Sequence, residues 1–288
     1  MKGSINRYSG RVTWLLPIPF GLALQAGLLS ANAQLITLSD QNSSAKINLG
    51  NVGNSGGMTN WTIDGVNNLA QQWFWYRNGA TGPEQAISTI GVAPVFSTPN
   101  ARTLYVTYDN GSFGVTINYL LTGASAGTRN SDISESISII NHTASPLSFH
   151  FFQYSDFDLA GVPGGDVVQL GKNLRGLFNE ADQTKPGSGN SLTETVVTPG
   201  ANHGEAALFN STLVKLSDGN PDTLNDNAGP VGPGDATWAL EWDLTIQPGS
   251  SVGITKDKYI HWEPVPEPSA IALGFLGLIG CFVLRRRR

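Results

Sequence analysis

Alternation with a period of two recurs from Gln34 to the final residues before Pro266, and it is the feature that most narrows the fold. Trp238, Leu240, Trp242, Leu244 and Ile246 alternate with Ala239, Glu241, Asp243 and Thr245. Successive side chains on a strand point to opposite faces, so the bulky apolar groups share one face. Ile133, Glu135, Ile137 and Ile139 alternate in the same way with Ser134, Ser136 and Ser138. Glu135 must therefore face solvent or a partner. Leu147 to Asp158 carries Phe149, Phe151, Phe152, Tyr154 and Phe157, which predicts a strand covered on both faces. Arg102 to Asp109 is rich in β-branched and aromatic residues. Asn110-Gly111 follows it, a pair that tolerates positive φ and favours a tight hairpin. Phe113 to Leu121 reads as the returning strand. Pro248-Gly249 marks a second turn, with Ser251 to Ile260 returning.

Turn signals recur every 8–15 residues, and no long central stretch has helical periodicity. The expected fold is all-β, an antiparallel β-sandwich. Lys185 to Gly189 and Ser217 to Asp235 read as long loops of one domain rather than as boundaries between two. No internal repeat is evident.

Composition agrees. Charged residues make up 14% of the 288, and there are 34 glycines, which suits a turn-rich β-protein. The 7 Trp, 12 Phe and 7 Tyr argue against disorder. The net charge of −5 hides a division, because seven basic residues sit in the two ends. Between Gln34 and Pro266 there are 10 basic and 21 acidic residues, a net of −11. Such a domain repels phosphate backbones, so nucleic acid is not an expected partner. The single cysteine, Cys281, lies in the C-terminal tail. The central domain therefore has neither an internal disulfide nor thiol chemistry.

The N-terminus reads as a secretory signal, residues 1–33. Lys2, Arg7 and Arg11 precede an apolar stretch from Val12 to Leu29. Ala31-Asn32-Ala33 gives the small-x-small pattern that signal peptidase accepts, so the mature chain would begin at Gln34. An uncleaved anchor is the alternative. At the other end, Pro266-Glu267-Pro268 is followed by an apolar run over 270–284 and by Arg285, Arg286, Arg287 and Arg288. Fifteen residues is short for a bilayer crossing, which flanking residues and local thinning can accommodate. The four arginines would stay on the cytoplasmic side as a membrane stop. The domain over 34–263 would then lie outside, in agreement with the signal peptide.

This order, from Val265-Pro266-Glu267-Pro268-Ser269 through an apolar helix with Gly274, Gly277 and Gly280 to an arginine cluster, resembles the PEP-CTERM sorting tail. The resemblance covers about 24 residues, with Pro266, Glu267 and Pro268 matching the motif. It implies an exosortase substrate of a Gram-negative bacterium that makes extracellular polysaccharide. Such a protein would be held transiently at the inner membrane, then left at the cell surface or in the biofilm matrix. A plain C-terminal anchor is the alternative. Tyr154 to Leu159 and Pro248 to Ser251 are similar to segments of other PEP-CTERM proteins, and bring no catalytic assignment.

Candidate chemistry in the middle is sparse. Asp218, Asn220, Asp222 and Asp226 space oxygens as a Ca²⁺ loop does, but Thr223 and Gly229 stand where that loop needs Gly and Glu. A solvated acidic turn is the plainer reading, and no other cofactor is expected. Asp156 and Asp158, with Asp166 nearby, could form a glycosidase pair or simply cap a turn. His142, His150, His203 and His261 show no H-x-H or H-x-x-x-H spacing. In the block Trp73-Phe74-Trp75-Tyr76, Trp73 and Trp75 share a strand face and could stack on sugar rings.

The resulting expectation is an exported, non-enzymatic surface or matrix protein associated with exopolysaccharide. The alternatives are a carbohydrate-binding module using Trp73 and Trp75, and, third, a glycoside-active enzyme.

Overall fold

The structure, a computed structural model, describes residues 34–50 and 56–263. The signal segment with Ala31 and Ala33, the sorting motif, the apolar run and the arginine cluster lie outside the described residues. No helix among the described residues is long and apolar enough to cross a membrane.

The chain runs through β1 (Leu35–Asp40), β2 (Ser43–Asn48), β3 (Gly57–Ile63), β4 (Val66–Asn67), β5 (Gln71–Asn78) and β6 (Gln85–Ala86). It continues through β7 (Val95–Asn100), β8 (Thr103–Asp109), β9 (Phe113–Gly123), β10 (Ser131–Asn141) and β11 (Leu147–Asp156). Then come β12 (Asp166–Lys172), β13 (Phe178–Lys185), β14 (Asn190–Thr198) and β15 (His203–Leu208). A short helix, α1 (Ser211–Lys215), precedes β16 (Val231–Gly234), β17 (Ala236–Ile246) and β18 (Ser251–Trp262).

These strands form two antiparallel sheets. The first has the order β1-β2-β3-β5-β11-β17-β15, with β4 beside β3 and β6 beside β5. The second has the order β16-β12-β13-β14-β18-β10-β9-β8-β7. The all-β sandwich expected from the alternation is what the chain forms. The β8–β9 hairpin turns at Asn110-Gly111, where Gly111 has φ of 80°. The Asn110 side chain accepts hydrogen bonds from the Ser112 and Phe113 amides and fixes the turn.

Between the sheets lies an aromatic core. Phe74 stacks on Phe151 at 5.3 Å, and Tyr76 on Phe149 at 5.7 Å. Phe113 of the second sheet meets Phe149 edge-on at 5.2 Å, so the two inner faces interlock. Such pairs add about 0.5–1.5 kcal/mol each beyond their burial. Glu135 finds a partner rather than solvent. It lies opposite Lys256 across β10 and β18, while Glu194 lies opposite Lys258 across β14 and β18. All four side chains are fully buried, in contact across these pairs, and Gln153 of the first sheet donates to Glu194 at 2.7 Å.

The segment after β15 does not hang free as a solvated loop. Leu216 and Leu224 are buried, and α1 with the following residues packs over the outer face of the first sheet. Thr212 and Lys215 both bond Glu205 of β15.

Candidate functional site

The outer face of the first sheet carries the site. Register decides which residues meet there. On β11, His150 lies opposite Arg77 of β5 and Asp243 of β17. Two residues along, Glu241 lies opposite His203 of β15. Four neighbouring strands therefore place Arg77, His150, Glu241, Asp243 and His203 on one patch, because residues two apart on a strand share a face.

The patch is tightly connected. His150 Nδ1 is 2.5 Å from an Asp243 oxygen and 3.6 Å from Glu241 Oε1. His203 spans two carboxylates, with Nδ1 3.1 Å from Asp226 and Nε2 3.4 Å from Asp243. Arg77 donates to Glu84 at 2.9 Å and stands 3.8 Å from Glu241. The packed-over segment supplies the wall. Leu224 N–H donates to Glu241 Oε2 at 2.9 Å, and the Asp222 carbonyl accepts from Arg77 at 3.1 Å.

Burial differs along the patch. The Glu241 side chain is fully buried, while those of His150 and Asp243 are 20% and 36% exposed. Burial pushes the Glu241 carboxyl up to about 7, with Asp243 raising it further and the Leu224 amide opposing. Its Oε1 has no hydrogen-bond partner. A carboxyl that exchanges its proton near neutrality, beside an imidazole, is equipped for acid–base work. The patch also offers fixed donors and acceptors to a polyhydroxylated ligand. His150, Glu241 and Asp243 bring ligand atoms within 4.8 Å of one another, but the Arg77 guanidinium already supplies positive charge at Glu241, which disfavours a metal there.

The residues singled out from the sequence fall elsewhere or in other roles. Trp73 and Trp75 are 1% and 4% exposed, so they form no open stacking platform. The backbone at Gly56 and Gly57 lies against Trp73, and Tyr154 meets Trp75 edge-on at 6.3 Å, which closes both rings off. They line a recess of about 190 Å³ beside the patch, together with Glu84, Thr89 and Ser217. Asp218, Asn220, Asp222 and Asp226 do not gather as a Ca²⁺ loop. Asp218 accepts from the Asn220 amide at 2.7 Å, and Asp226 turns to His203. Among the described residues, neither group of converging metal-type ligands draws on this loop. Asp166 pairs with Lys185 at 3.3 Å, whereas Asp156 and Asp158 converge with Asp235. His142 bonds Asp109 and His261 meets Ser191, both away from the patch. Sequence spacing passed over His150 and His203 because their partners lie on adjacent strands. The signal within reach was Glu241 and Asp243, two acids on the polar face of an otherwise apolar strand.

Residues 264–288 match the PEP-CTERM protein-sorting motif. The chain carries a PEP-CTERM sorting motif, which implies processing by an exosortase. The motif marks an exported protein with C-terminal sorting. No curated protein sequence matches the chain. Among solved structures, the chain is similar to a putative aldose 1-epimerase from Escherichia coli K12, at 12% identity and a TM-score of 0.54, covering 80% of this chain and 99% of that one. It is also similar to a bacterial glucoamylase complexed with acarbose, at 9% identity and a TM-score of 0.51, covering 85% of this chain and 36% of that one. A galactose mutarotase-like protein from Lactobacillus casei ATCC 334 gives 10% identity and a TM-score of 0.43, covering 79% and 100%. At these identities the likeness to the first two establishes the fold alone. The expectation of a non-enzymatic matrix protein is corrected accordingly. The domain has an aldose epimerase-like fold, and the carbohydrate-binding alternative accords with it better.

Proposed function

We propose that the exported domain binds a carbohydrate over the outer face of the first sheet. Arg77, His150, His203, Glu241 and Asp243 would hold its hydroxyl groups. The observation that carries this reading is the convergence of five ionisable side chains from four adjacent strands, with, at its centre, a buried Glu241 oxygen that accepts no hydrogen bond. Sugar recognition needs donors and acceptors in fixed positions, and a strand scaffold holds them so. The similar structures support the reading, since they include a putative aldose 1-epimerase and a glucoamylase holding acarbose.

Binding without turnover is the first reading. A second is proton exchange at the anomeric centre of an aldose. It is favoured by the 3.6 Å approach of His150 to Glu241 and by the raised Glu241 carboxyl. One group would take the proton from the anomeric hydroxyl while the other delivered one to the ring oxygen, opening the ring without net loss of a proton. Delivery would use the apolar run over 270–284 as a transient inner-membrane anchor, with Arg285 to Arg288 inside, before release at a Gram-negative cell surface.

Titration of the mature protein with a panel of mono- and oligosaccharides tests the first reading. Binding is expected, weakened about 10–100-fold in Glu241→Gln, the effect of losing a charged hydrogen bond. No binding to any saccharide, or unchanged binding in that variant, would refute it. For the second reading, NMR would follow interconversion of α and β anomers. Acceleration lost in Glu241→Gln supports it, and a rate equal to buffer removes it.

A further inference from the structure

We propose that Asp156, Asp158 and Asp235 form a calcium site at the opposite end of β11 from His150. Asp156 is the last residue of β11, Asp158 follows two positions on, and Asp235 lies between β16 and β17. The β11–β17 register sets Asp156 opposite Thr237, which carries Asp235 alongside Asp158. One oxygen from each carboxylate lies within 4.8 Å of the others. Oxygens around a Ca²⁺ ion at 2.3–2.6 Å can stand at most about 5 Å apart, so the three fit one coordination sphere.

One further observation points to a ligand. Asp156 is 4% exposed, and its Oδ1, aimed into the cluster, has no hydrogen-bond partner. The Tyr154 hydroxyl, on the same face two residues earlier, interacts with Asp156 and Thr237 instead. Leaving buried polar atoms unmatched costs about 1–3 kcal/mol each. Lys185 is the neighbouring cation, and it is occupied by Asp166 and by the Val162 and Gly164 carbonyls.

The donor set selects the ion. All three ligands are hard oxygens with neither imidazole nor thiolate among them, which favours Ca²⁺ over zinc or copper. Asp158 and Asp235 are half-buried, so water can complete the six to eight positions. The site stands about 20 Å along β11 from the proposed sugar patch, by strand rise over six residues. It would tie the end of β11 to the β16–β17 junction, outside the sugar reading and independent of it.

The test compares the mature protein in EDTA and in 10 mM CaCl₂. Melting temperature is expected to rise by about 3–8 °C with Ca²⁺, as for a dissociation constant near 10⁻⁴–10⁻³ M. Tb³⁺ should show luminescence sensitised through Tyr154, displaced by Ca²⁺. Asp235→Asn should abolish both responses while melting no lower than the parent in EDTA, since it removes a repulsive charge. No shift with Ca²⁺, or a full shift retained in both Asp235→Asn and Asp158→Asn, would overturn the proposal. So would Asp235→Asn melting several degrees lower in EDTA, the mark of a purely structural role.

Discussion

The two faces of the first sheet hold charge in different ways. On the inner side, Gln153 reaches the quartet of Glu135, Glu194, Lys256 and Lys258, where two acidic side chains pair with two lysines and no side chain reaches solvent. On the outer side, Arg77 cannot balance Glu84, Glu241, Asp243 and Asp226, and the two histidines border solvent. The quartet is neutral in sum, sealed, and placed by cross-strand register. The outer patch is acidic in excess, graded in exposure, and walled by a packed segment. Sealed charge of this kind fixes how strands pair, while a graded patch leaves protons and hydrogen bonds available to a ligand. The same residue types thus serve architecture on one side and, in the proposed function, ligand recognition on the other.

The largest expected effect lies on the sealed side. Glu135→Gln leaves Lys256 facing a neutral amide inside the sandwich. Breaking a buried pair costs about 3–5 kcal/mol, to be read from the urea midpoint of the mature protein. A loss under 1 kcal/mol would mean that the quartet is hydrated, and the contrast between the faces would collapse.

Next comes the pH dependence of Glu241. Its folded carboxyl binds a proton more tightly than the unfolded one, being raised to about 7 by burial. The folded state therefore holds the extra proton between the ordinary glutamate range and about 7. Stability from this group is highest below the unfolded value and falls as pH rises through the folded one. Asp156, also raised to about 7, acts in the same sense, so the comparison must be made against a variant. Between pH 5 and pH 8, Glu241→Gln should lose about 1–3 kcal/mol less stability than the parent. Equal losses in urea titrations at the two pH values would show that Glu241 is not desolvated.

A smaller effect on stability, with a large one on binding, is expected at His150. Its pair with Asp243 is partly exposed, so His150→Ala should cost under about 1 kcal/mol while weakening saccharide binding at least about 10-fold. Smallest of all, Asp218→Asn alters an exposed turn and should change stability by no more than about 0.5 kcal/mol. A melting curve suffices for that comparison. A larger change would restore a role for the 218–226 loop beyond its hydrogen bonds.

The fold was readable because alternation is local. Trp238 to Ile246 announces a strand with one greasy face, and Asn110-Gly111 announces a hairpin. The site was not readable, because it depends on which strands become neighbours. Nothing between His150 and Asp243, 93 positions apart, says that β11 pairs with β17. The alternation even pointed away from the site, by drawing attention to Trp73 and Trp75 as a possible platform. Both are covered by neighbouring residues, whereas Arg77, further along the same face of β5, reaches Glu241. Asp156 and Asp158 were visible as a pair, but their third member, Asp235, reaches them only through the sheet. The sorting tail is the reverse case, since its message is written in contiguous residues.

The most direct test of the account maps a bound sugar on the protein. ¹H–¹⁵N spectra of the mature protein, recorded as an oligosaccharide is added, should show the largest shifts in the amides of His150, His203, Glu241 and Asp243. The Leu224 amide, bonded to Glu241, should move with them. Shifts gathered instead on the outer face of the second sheet, or none at saturating saccharide, would contradict the assignment of this patch.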